Sequence, residues 1–192
     1  MVGPEAVEYS RRLYDDVLAW YQNADTKAQV VLGLDGAFLA FIAAAAFQKP
    51  EDLGALVATF SPWTWGWLAL MVFTLFVSMT SAVYCLWSRI YVPSSIMSRV
   101  RLEENQPGRT TYAPAVMWFF QYIDALDPKV FRTTLAGVTR PFEVDAMASQ
   151  ITALSHNVRT KHVAVNVGFA CAVATLLLCA AAAASHVMSI RR

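Results

Sequence analysis

The stretch NADTKAQVVLGLDGAFLAFIAAAAF, Asn23 to Phe47, decides how this chain folds. A charged pair, Asp25 and Lys27, leads into mostly apolar residues from Ala28 to Phe47. About twenty apolar residues in a helix cross the roughly 30 Å hydrocarbon core of a bilayer. One carboxylate, Asp35, lies inside the run, about 12 Å beyond Lys27 along a helix axis. A charge at that depth is expensive, so its presence calls for a partner or a task.

Two more runs of that length follow, Trp63–Trp87 and Val163–Val187. With 192 residues, 57% of them hydrophobic, and a mean hydropathy of +0.42, the chain is too apolar for an ordinary soluble domain. The reading is an all-α integral membrane protein with three transmembrane helices, over about 28–47, 63–87 and 163–187. No short apolar segment behind a basic start suggests a removable signal peptide.

Twelve of the 15 Lys and Arg residues fall in 1–27 and 88–162; Lys49, Arg191 and Arg192 are the rest. The positive-inside rule therefore puts the N-terminus and the long middle segment in the cytoplasm and the C-terminus outside. A net charge of +1 gives no reason to expect nucleic acid as a partner. Cys85, Cys171 and Cys179 all lie within apolar runs, without CxxC spacing. His156, His162 and His186 form no HExxH motif, so no metal site is expected. No nucleophile, base and orienting group share a plausible spacing either, and no catalysis is expected.

The first and last spans continue into the cytoplasmic parts as helices. Tyr14, Val17, Tyr21, Ala24 and Ala28 mark one face, and no Gly or Pro interrupts the passage into the first span. One helix is expected from about Glu5 to Phe47, stopping near Gln48-Lys49-Pro50. Pro62 with Trp63, Trp65 and Trp67 marks the headgroup-level start of the second span. That span returns near Trp87-Ser88-Arg89, Pro93 ends or kinks it, and Glu103–Arg109 reads as a turn. Two short helices are expected between Pro114 and Leu135. The second has Asp127 as cap, Pro128 at its first position and Gly137 at its stop. The last helix should start near Pro141 and run through the third span. Val144, Met147, Ile151, Leu154, Val158 and Lys161 form its seam at heptad spacing.

Lys161 stands on that seam where an apolar residue is called for. Asp25 and Lys27 lie at a similar depth, so either an interfacial salt bridge or a ligand site fits. Ser78 and Ser81 are level with Asp35, and Asn166 is slightly shallower. These four residues form either a satisfied interior contact or part of an ion path. Gly36, Ala40 and Ala44 make a small-residue stripe suited to close helix contact.

The run W-Y-x-N-A-D-T-K-A-Q-V-V-L-G-x-D-G, Trp20 to Gly36, resembles the opening helix of the Pycsar transmembrane effectors. Pro93, then Phe119-Phe120-x-x-Ile123 with Phe131 and Leu135, continue the likeness. So do Asp145, Gln150, Leu154 and Lys161 ahead of the last span, and together they make 1–192 one domain similar to that family's. Asp35 departs from the pattern, where an uncharged polar residue such as Asn is commoner. The fused HD hydrolase domain of some relatives has no counterpart here.

The resemblance implies an anti-phage effector in the bacterial inner membrane that assembles from several copies. A partner cyclase would supply cCMP or cUMP as the activating ligand, with no other cofactor. Its binding to the cytoplasmic helices would lead to membrane impairment and abortive infection. Candidate ligand residues are Asn23, Asp25, Lys27, Gln150, Asn157 and Lys161, joined by Arg159 and Ser155; Tyr21, Trp118, Phe119 and Tyr122 could stack on the base. Asp35, Ser78, Ser81 and Asn166 would serve the membrane response. The competing expectation is a ligand-independent channel or scaffold subunit.

Overall fold

The computed structural model describes residues 2–47, 54, 56–87, 110–117, 123–124 and 126–191. They include the α-helices α1 (Pro4–Phe47), α2 (Pro62–Leu86), α3 (Pro128–Ala136) and α4 (Arg140–Ile190), with a 3₁₀ turn at Pro114–Val116. No strand occurs among the described residues. Three helices, α1, α2 and α4, are long and apolar enough to cross a membrane. Their bounds agree with the sequence to within three residues. The expected features at Gln48–Pro50, Ser88–Arg89, Pro93 and Glu103–Arg109, and the aromatics Trp118, Phe119 and Tyr122, lie outside the described residues.

Local chemistry explains the helix starts. Ser61 Oγ accepts from the Thr64 N–H at 3.2 Å, and Pro62, which has no N–H to satisfy, opens α2. Asp127 Oδ1 accepts from Lys129 N at 2.8 Å and Val130 N at 3.1 Å, capping α3. Gly137 ends α3, its N–H shared between the Thr133 and Thr134 carbonyls. Of the stretch where the first short helix is expected, Pro114–Val116 forms a 3₁₀ turn, and 118–122 lie outside the described residues.

The chain divides into two compact units, residues 1–22 with 89–159 and residues 23–88 with 160–192. In the first, α3 is fastened at both ends by Tyr112. Its N–H donates to Thr134 Oγ1 at 2.9 Å, and its hydroxyl accepts from the Asp127 N–H at 3.0 Å. Arg11 of α1 pairs with Glu143 of α4 in this unit. Of the seam expected on α4, Met147 and Val158 are buried, whereas Val144, Ile151 and Leu154 are half-buried. Ala146 and Ala153 are buried instead, so the packed face is turned about one residue towards small side chains.

The second unit packs the spans through a seam of small residues. On α2 the buried positions are Thr64, Met71, Leu75, Ser78, Ala82 and Cys85. On α1 they are Ala24, Ala28, Val31 and Asp35, and on α4 Lys161, Val165, Gly168, Ala172, Thr175 and Ala182. The sets advance in steps of three, four or seven, the 3.5-residue repeat of supercoiled helices. The large apolar residues point the other way: Phe41, Phe73, Phe76, Leu176 and Leu177 are exposed. A surface of that kind is stable against lipid, not water.

The expected stripe of Gly36, Ala40 and Ala44 makes no close contact with another described helix of this chain. All three are exposed, and a Cβ on Gly36 would meet nothing within 4 Å. Close approach occurs at Gly168, where a Cβ would lie 3.3 Å from the Ser78 carbonyl oxygen and 3.4 Å from Ser81 Cβ. Gly168→Val should therefore push α2 off α4 and cost about 1–3 kcal/mol, the usual range for overpacking. Gly36→Ala should leave stability unchanged. Thermal melts in detergent showing equal effects for the two would contradict this packing.

Candidate functional site

A cation on an apolar seam is tolerable when a counter-charge reaches it. Lys161 is 7% exposed, and its Nζ donates to Asp25 Oδ1 at 2.5 Å. Asp25 follows the buried Ala24 on α1, and its side chain keeps 28% of its exposure. Ala24, Ala28, Val31 and Val165, neighbours of the pair along α1 and α4, form one buried apolar cluster with Ala82 and Cys85 from α2. Cys85 Sγ donates weakly to the Ala24 carbonyl at 3.6 Å. In such surroundings the Coulombic gain of the pair offsets the cost of dehydrating the ammonium, and losing either charge exposes that cost.

Lys27 does not join this pair. It lies two residues beyond Asp25, about 200° around the helix, and is exposed. It lines a separate cleft of about 300 Å³ with Thr26, Val30, Val31, Val165, Asn166 and Phe169. Asn166, expected near Asp35, belongs to this cleft. Asn23 is exposed.

The remaining expected ligand residues, Gln150 and Asn157, are in the unit of residues 1–22 and 89–159. Gln150 Nε2 donates to the Tyr14 hydroxyl at 3.3 Å. Its Oε1 is buried and accepts no hydrogen bond among the described residues. Such an acceptor costs free energy until a donor reaches it. Asn157 and Tyr21 are half-buried, and Ser155 and Arg159 exposed. The same unit holds a cleft of about 580 Å³ lined by Ala113, Pro114, Ala115, Val116, Asp145 and Ser149, with Ala148 beside them.

Deeper in the spans, Asp35 is 3% exposed and meets α2 and α4 at one point. Ser78 Oγ lies 2.6 Å from Asp35 Oδ2 and 2.9 Å from the Gly168 carbonyl oxygen. One hydroxyl has one proton to donate, so these two acceptors share it unless the carboxyl carries a second. Ser81 is half-buried and backs onto Gly168. Two further polar layers follow towards the other end, which sequence reasoning missed. Thr74 and Thr175 are 2.9 Å apart at their hydroxyls, and Thr64 and Ser185 3.2 Å apart. Hydroxyl spacing along α2 and α4 was the available signal, but it is common in membrane helices, where threonines often bond their own backbone. No group of three His, Cys, Asp or Glu placed for a metal ion occurs among the described residues.

The family model described as the Pycsar effector protein domain matches residues 9–187. No curated protein and no solved structure matches. The match covers all three candidate spans, the Lys161–Asp25 pair and the Asp35–Ser78–Gly168 contact, and it carries a cyclic-nucleotide signalling context. The chain thus belongs to the Pycsar effector family of anti-phage proteins, as a multi-pass membrane member.

Proposed function

We propose that this effector binds a cyclic pyrimidine nucleotide, cCMP or cUMP, on its cytoplasmic side and then impairs the bilayer, without catalysing a reaction. The observation that carries the reading is Lys161, a buried cation paired with a partly exposed carboxylate where the apolar run begins. A cyclic nucleotide has a single phosphodiester charge. It can replace Asp25 at Lys161, and α1 then loses its ionic tie to α4 in the membrane unit. The base needs donors and acceptors of its own.

The partner is then a cyclase that makes the nucleotide, and several copies of the chain would act together in the membrane. The basic-residue bias supports a cytoplasmic N-terminus and an outer C-terminus; reporters fused at the two ends would disprove this by reading the same side. A second reading, a ligand-independent channel or scaffold, is favoured by the intramembrane Asp35 and its polar contact.

Titration of the detergent-solubilised protein with cCMP, cUMP, cAMP and cGMP, beside leakage from liposomes, separates the two. One pyrimidine nucleotide should bind and start leakage. Lys161→Ala should weaken binding by about a hundredfold, in line with the loss of a buried charge-assisted contact. Arg191→Ala, at an exposed end, should change it little. Leakage without any nucleotide, unchanged by all four, would favour the second reading.

A further inference from the structure

Two polar residues in the spans have no place in the mechanism above. Lys27 stands at the threshold of the first span and Asn166 just inside the third. Different helices bring them to one cleft of about 300 Å³, whose remaining wall is Val30, Val31, Val165 and Phe169, with Thr26 at its edge. Val30 and Phe169 are also broadly exposed. Lys27 has no carboxylate paired with it among the described residues. A cation and an amide at the membrane boundary, continuous with an apolar furrow, match the two halves of a phospholipid.

We propose that this cleft is a binding site for an anionic phospholipid. The phosphate meets the Lys27 ammonium and the Asn166 amide, which provide charge and hydrogen-bond donors. The first carbons of one acyl chain lie along Val30, Val165 and Phe169. A lysine that merely reaches up to headgroups needs no indentation beside it and no second donor from another helix. Basic recesses between membrane helices are a known means of holding acidic headgroups. The proposal is independent of the nucleotide reading, since Lys27 is on another side of α1 from Asp25.

The test is lipid retention by the full-length protein, purified from nanodiscs containing phosphatidylglycerol and phosphatidylcholine and measured by native mass spectrometry. Phosphatidylglycerol should be retained in preference to phosphatidylcholine. Lys27→Gln should lower its retention about fivefold, the worth of one basic residue at an anionic surface. Asn166→Leu should lower it in the same direction, and Arg191→Gln should leave it unchanged. Circular dichroism identifies any variant that fails to fold, and Val30→Trp, which fills the cleft without touching its charge, should exclude the lipid by itself. Equal retention by wild type, Lys27→Gln and Val30→Trp would overturn the proposal. So would release of the lipid by cCMP or cUMP, which would make the cleft a nucleotide site, or a loss of preference between the two lipids. Failure of nucleotide binding elsewhere in the protein would leave these results untouched.

Discussion

Asp25→Ala should destabilise the membrane unit by about 3–5 kcal/mol, whereas Lys161→Met should cost no more than about 1 kcal/mol. The asymmetry follows from exposure. Removing Asp25 takes the counter-charge from an ammonium that is 7% exposed. Removing the ammonium strands a carboxylate that keeps 28% of its surface and can be hydrated. Met retains most of the lysine stem, so the seam stays filled. The double variant should recover most of the loss, because no unpaired buried charge remains. Reversible denaturation of the four proteins in detergent, followed by circular dichroism, measures all three quantities. Equal losses from the two single changes would mean that burial does not govern this pair. The same proteins also probe the proposed exchange: cCMP or cUMP should raise the melting temperature of Asp25→Ala, since a phosphodiester can restore the missing charge. It should not raise that of Lys161→Met.

Asp35→Asn is expected to leave assembly and nucleotide affinity intact while slowing ligand-triggered leakage by about tenfold, since an ionisable group within a span is what marks an ion path. The amide keeps the shape of the carboxylate and adds a donor. It can donate to Ser78 Oγ, which frees the Ser78 hydroxyl for the Gly168 carbonyl 2.9 Å away. The contact is then fully satisfied and the cost of inserting an acid is removed. Leakage from liposomes, set beside nucleotide titration of the same preparation, reads both halves. Normal leakage with lost binding would place sensing, not the membrane response, at Asp35. Unchanged binding with unchanged leakage would reduce Asp35 to a packing contact.

The chain by itself determined the spans, the continuous helices and the caps. Twenty apolar residues in a row have few other solutions, and no helix breaker separates Glu5 from Phe47. Asp127 caps with its own side chain, and Pro128 and Gly137 act through their own backbones, so α3 is legible to the residue. The Lys161–Asp25 pair was legible too, because a charge on an apolar seam needs an opposite charge at its own depth. Depth follows from counting residues along a helix; direction around the axis does not, once both faces of the helix are apolar. In water, polarity separates the packed face from the solvated one. In lipid the outer face is as apolar as the inner, and this contrast is lost. Hence the sequence gives the depth of Lys27 and Asn166 but not their shared cleft, and it does not single out Gly168, where α2 and α4 come close. The threonine and serine layers at Thr74–Thr175 and Thr64–Ser185 were hidden for the same reason. The rotation of each helix about its axis was decided by the tertiary structure, where small residues let backbones approach and hydroxyls find partners across the gap.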